Sequence, residues 1–103
     1  MFKREIERGA AFLDEHFPGW EDKIDPETLN LEDGCNCILG QVYGAYFKGA
    51  EKLGLENIGD RARLGFTLDG GNHFNALTRD WLAYLANRAL APFKRAYTHF
   101  GGV

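Results

Sequence analysis

Serine is absent from all 103 residues of the chain. That removes every hydrolase built on a serine nucleophile. β-Branched residues are scarce too: two Val, four Ile and four Thr stand against twelve Leu and eleven Ala. Leu and Ala favour helix, while strands draw on the types in short supply, so the balance predicts an all-α domain. No stretch approaches the ~18 consecutive apolar residues of a membrane span. From Met1 to Ala10 charge alternates with apolar residues, where a secretory signal would have an unbroken apolar core; the expected location is the cytoplasm. Only two cysteines occur, Cys35 and Cys37, one residue apart. A disulfide between them would close a very small strained ring, so neither is a structural staple.

What is present fits one small globule, residues 1–103, without linker, repeat or low-complexity tract. Hydrophobic residues make up 45% and charged residues 26%, enough apolar material for a core without metal or disulfide. The net charge of -3 argues against a nucleic-acid binder that works by neutralising phosphates. Fourteen aromatics form the other conspicuous excess.

The apolar spacing predicts three principal helices, or four if a proline divides the last. Phe2, Ile6, Gly9, Ala10, Leu13 and Phe17 share one side of a first helix, which Pro18-Gly19 ends. Asp25-Pro26 reads as a cap and first position of a short turn through Leu29. A second long helix is expected from about Asn36 to Leu53, with Leu39, Val42, Tyr46, Ala50 and Leu53 inward and Gly54 as its left-handed cap. Residues 56–71 read as an irregular connection: Asp60 caps a short helix through Arg63, Gly65 to Leu68 is extended, and Asp69-Gly70-Gly71 turns. Asn72 then caps a helix bearing Phe74, Leu77, Trp81, Tyr84 and Leu85, which Pro92 stops or kinks. A further stripe, Phe93, Tyr97 and Phe100, follows it.

Several of these segments resemble a group of small uncharacterised proteins of actinobacteria and their phages. The resemblance rests on Arg8-Gly-Ala-Ala-Phe-Leu-Asp-Glu15, Pro18-Gly19-Trp20, Ile24-Asp25, and Cys37-Ile-Leu-Gly-Gln41 with Tyr43-Gly44. Leu53-Gly54-Leu55, Gly65-Phe66 and Leu77-Thr78 before Trp81 extend it over residues 8–82. It implies a phage or bacterial cytoplasmic accessory protein, and carries no activity, cofactor or catalytic residue.

Four constellations could hold chemistry. Cys35 and Cys37 would form half of a zinc site, or Cys37, in the first turn of a helix, would be a thiol activated by helix-end amides. His16, His73 and His99 are isolated and supply no second close pair, so core packing of Cys37 is the simpler expectation. Gly40, Gly44 and Gly49 inside one helix would together weaken it by about 3 kcal/mol, an expense explained by close packing against Trp20 or Trp81, or by a groove floored with bare backbone. Gly70, Gly71, Asn72 and His73 set a flexible turn before a helix N-terminus, where an anion could sit, with Arg61 and Arg63 near in sequence; neither the Walker spacing nor GxGxxG is present.

The fourth constellation is aromatic. Tyr43 and Phe47 fall off the main stripe of the second helix, and with Phe93, Tyr97 and Phe100 they are the candidate partner-binding residues. Charge is also divided: residues 1–52 sum to -5 and residues 53–103 to +2. Such opposed patches steer a partner or align two copies. The basic residues are not gathered on one recognition helix, so DNA is not the expected partner. No acid, base or nucleophile has an orienting neighbour in sequence, which points away from an enzyme. The leading expectation is a protein-interaction module, self-association included. The alternative is a metal- or small-ligand-binding domain using Cys35/Cys37 and the 69–73 turn.

Overall fold

A computed structural model describes the backbone of residues 1–101 and the side chains of residues 1–89. Within these bounds the domain is all-α. Five helices and a 3-10 turn follow one another: α1 Lys3–His16, the 3-10 turn Trp20–Lys23, α2 Ile38–Tyr43, α3 Tyr46–Lys52, α4 Ile58–Arg63 and α5 Phe74–Gly101. No helix among the described residues is long and apolar enough to cross a membrane.

The first helix obeys its sequence. Ile6, Gly9, Ala10 and Leu13 are buried along one face, and the chain leaves at Phe17 just before Pro18. The long helix expected over 36–53 is instead two. Gly44 stands at φ +98, a left-handed conformation that closes α2, and Ala45 is extended before α3 begins. Gly44 is therefore a corner rather than a weak point inside a helix. Gly40 faces neither tryptophan: a Cβ there would meet the Cys35 carbonyl carbon at 2.6 Å, so this glycine admits the backbone of the preceding loop. Gly49 lies against Leu39 and the Tyr43 ring, closing the α2–α3 angle.

The stretch 56–71 is more regular than its sequence suggests. Asn57, not Asp60, caps α4, its side-chain oxygen accepting from the Gly59 amide at 2.6 Å. Gly65 is not extended. It sits at φ +74 while the Gly65 amide donates to the Ala62 carbonyl and Phe66 to Arg61, both at 3.0 Å. The same paired bonds close α3, from Gly54 to Glu51 and from Leu55 to Ala50. Both are the Schellman stop, in which a left-handed glycine lets the next residue turn back into the core. At α5 the Leu77 amide bonds the His73 carbonyl, so His73 rather than Asn72 stands at the cap. Pro92 does not end α5, which continues to Gly101; the proline removes the amide that would bond the Arg88 carbonyl.

Buried Trp20, Trp81 and Phe66 centre the core. Phe66 and Trp81 lie nearly parallel at 6.3 Å, and Trp20 and Tyr84 each meet Trp81 edge-on. Both indole N–H groups are satisfied, Trp81 by the Gly65 carbonyl at 2.6 Å and Trp20 by Asp14 at 2.9 Å. Above them α1 crosses the end of α4 with almost no clearance. A Cβ at Gly9 would overlap the Leu64 carbonyl oxygen, and one at Gly65 would meet the Glu5 and Ile6 backbone at 3.2 Å. Gly9→Ala should therefore lose ~3 kcal/mol or more in a urea titration, since a rigid carbonyl blocks the new methyl. Gly54→Ala, at φ +70 in open space, should lose only about 1 kcal/mol from the left-handed backbone. Equal losses would mean that the crossing is looser than described.

Candidate functional site

The Cys37-Ile-Leu-Gly-Gln41 segment acts on its own loop. Cys37 is buried and caps α2, its sulfur accepting from the Gly40 amide at 3.2 Å. Gln41 buckles the loop that precedes it: the side chain donates to Asp25 O, Thr28 Oγ1 and Asn36 O and accepts from the Asp25 amide at 2.6 Å. Asp33 supports the same loop by accepting from the Cys35 amide at 2.8 Å and from Asn36. These backbone and side-chain bonds hold the Asp33 carboxyl below its ordinary value.

The two thiols occupy different surroundings. Cys35 is exposed and Cys37 buried. Burial pushes the Cys37 thiol above its ordinary value and outweighs the amides that favour the thiolate. The activated Cys37 considered from sequence is thus reversed by the fold. Among the described residues no group of three or more His, Cys, Asp or Glu side chains converges to hold a metal. Iodoacetamide at neutral pH should modify Cys35 readily and Cys37 only after unfolding, read by mass spectrometry of the native and denatured protein. Prompt native labelling of Cys37 would contradict its burial.

At the 69–73 turn Gly70 and Gly71 both take positive φ, and Gly70 and His73 line a shallow cavity of about 360 Å³. Glu5 and Asp69 share that cavity, which opposes an anion there. Neither arginine joins it. Arg63 pairs with Asp60 at 3.9 Å, while Arg61 is buried, donating to the Tyr46 hydroxyl at 2.7 Å and the Leu55 carbonyl at 2.5 Å. Gly71 and Asn72 are exposed and lie outside the cavity lining.

The aromatic candidates separate. Phe47 is 73% exposed on α3, its ring edge-on to Tyr46 at 4.9 Å. Tyr43 is half-buried, edge-on to Phe17 at 5.4 Å, and burial pushes its hydroxyl above the ordinary value. Phe93, Tyr97 and Phe100 lie on the last turns of α5, and their side chains fall outside the described residues.

Tyr43 faces a hollow that sequence reasoning missed. His16, Phe17, Lys23, Val42, Tyr43, Lys48, Lys52 and Leu53 line an open hollow of about 520 Å³ where α1, the 3-10 turn, α2 and α3 all end. His16, Lys23 and Lys52 each fall in the last turn of their element. A cation there complements the exposed carbonyls of the helix end. That position, repeated in three segments, was the signal available in the sequence.

A second cluster fixes α5 to the rest. The Arg88 guanidinium donates to Asp14, to Glu21 at 2.9 Å and to the Tyr84 hydroxyl at 3.2 Å, and stands 5.3 Å from the centre of the Trp20 ring. Partial burial pushes Asp14 upward, but hydrogen bonds from Arg88 and Trp20 and the Arg88 charge hold its carboxyl below the ordinary 3.8. Beside this cluster an apolar groove of about 360 Å³ runs between Ile24, Pro26 and the Leu82–Leu85 face of α5.

No protein-family model matches the chain, no curated protein matches its sequence, and no solved structure matches its fold.

Because the folded Asp14 carboxyl titrates below its unfolded counterpart, its stabilising contribution is complete above about pH 4 and is lost as pH falls through the folded value. Asp14→Asn should lower the urea midpoint near neutral pH and leave it less sensitive to acid below about pH 4. Parallel pH profiles for the two proteins would exclude Asp14 from the acid limb.

Proposed function

We propose that this chain is a small cytoplasmic protein-interaction module, of the phage or bacterial accessory kind that its motif resemblance implies, and that it engages a partner protein through α3 and α4. The observation that carries this reading is the exposure of Phe47 on a face already ordered beneath it. Three large hydrophobic side chains are exposed among the described residues, and two of them, Phe47 and Ile58, lie on α3 and α4. Those two helices are joined by the bond from Arg61 to Tyr46, and Phe47 rests against the same Tyr46 ring. Ile58 sits one turn before Arg61. Tyr and Arg under an exposed aromatic are the residue types that dominate binding hot spots. Ordering them before contact lowers the entropic cost of binding. Cys35, an exposed free thiol, suits a reducing compartment.

A photoreactive phenylalanine analogue placed at position 47 tests the reading in cells of the native host. It should give one discrete protein adduct on irradiation, whereas the same analogue at exposed Glu7 should not. An adduct of twice the 11.6 kDa chain mass would identify the partner as a second copy. Indistinguishable adduct patterns from the two positions would sink the proposal.

A further inference from the structure

Three of the five lysines of the chain, Lys23, Lys48 and Lys52, line the single hollow where the elements end. No carboxylate lines it, and among the described residues none of the three lysines forms an ion pair within 4.0 Å. Lys23 instead stands 5.7 Å from the centre of the Phe17 ring. This is unusual for the N-terminal half of the chain, where residues 1–52 sum to -5.

Part of the positive charge has a local purpose. A helix end carries roughly half a negative charge, so three helices ending together present about -1.5, and less for the short α2 and α3. Three lysines exceed that demand and leave a surplus of roughly one to two positive charges. Lys48 is the residue with no helix end of its own to serve, since it lies in the first half of α3.

We infer that this hollow is the subsite for a carboxylate side chain of the partner protein, set beside the apolar anchor at Phe47; the inference rests on the interaction reading above. Its chemistry selects a carboxylate over a phosphate. Phosphate sites usually back their lysines with helix N-termini, glycine-rich amide nests or arginine forks. Here the helix ends present carbonyls, and neither glycine nor arginine lines the hollow. The surplus matches one or two carboxylates and not a long polyanion. The stretch from Asp14 to Asp33 carries eight acidic residues, and that charge on the same chain disfavours an extended polyanion. Phe47 and Lys48 are consecutive on α3 and point roughly 100° apart around it. The hollow therefore lies on the face adjoining Phe47, and a partner reaches it from that anchor by following the helix round.

A blocked Glu-Glu dipeptide, titrated into isotope-labelled protein at low salt, tests the site independently of any cellular partner. Saturable shifts are expected at the amides of Phe17, Lys23, Tyr43 and Lys52, and pyrophosphate should bind more weakly than the dipeptide. Lys48→Gln/Lys52→Gln should weaken the dipeptide roughly tenfold with an unchanged far-ultraviolet spectrum, since both side chains are exposed. Unsaturable shifts, shifts spread equally to Lys3 and Arg4, or an unaltered response in the double variant would overturn the inference. Tighter binding of pyrophosphate would replace it with a phosphate site. The crosslink at position 47 separates the two readings. If its adduct survives undiminished in the double variant, the partner does not use the hollow, while the interaction face stands. If no specific adduct forms at 47, the face falls and the dipeptide titration still decides whether the hollow takes carboxylates.

Discussion

The rest of the domain hangs on one peptide unit, the Gly65–Phe66 link at the end of α4. Its carbonyl receives the Trp81 indole, its glycine turns the chain left-handed, and its α-carbon lies against the backbone of α1. Removing the indole N–H would leave a buried carbonyl without its donor, a loss of about 1–3 kcal/mol. Enlarging the glycine would push α1 off its seat. Phe66 then carries the constraint onward by stacking on the same Trp81 that positions Trp20. Three aromatic rings and two helices are thereby placed by a single turn.

How much of this the sequence discloses depends on whether the controlling interaction is local. α1 was legible to within a residue because its stripe and its Pro18 stop both lie inside seventeen residues. The glycine stop after Leu53 was legible for the same reason. The equivalent stop after Leu64 went unread, although Arg63-Leu-Gly-Phe66 repeats the pattern of Lys52-Leu-Gly-Leu55. A helix of six residues is too short to establish a period, so its cap looked like a strand. Gly44 misled in the opposite direction. Apolar spacing runs on through the α2–α3 corner because both helices bury their inner faces in the same core, and only the backbone angle reveals the break. Arg88 was illegible: its partners Asp14 and Glu21 lie more than sixty residues away, and nothing near α5 announces them.

Charge on this molecule is used in two distinct ways. At Arg88 opposite charges are closely paired against Trp20 and serve the fold. At Arg61 a buried cation is satisfied by a hydroxyl and a carbonyl alone, which ties α3 to α4 without any carboxylate. In the hollow, by contrast, three lysines line the ends of helices and form no ion pair among the described residues. The first two arrangements are closed, with their donors engaged inside the protein. The third remains open to solvent, and that difference is what the proposed carboxylate subsite rests on.

The crossing of α1 over Leu64–Gly65 also orders events in time. α1 leaves the ribosome first, yet its seat includes residues 64–66 and is braced by Trp81 from the far end of the sequence. At about 5–20 residues per second, ~4–15 s of synthesis separate the two. A fourteen-residue helix is marginal by itself over that interval. Its apolar face must therefore wait, unpaired, for the turn and tryptophan that receive it. The seat of α1 is complete only once Trp81 has followed and its indole has reached the Gly65 carbonyl.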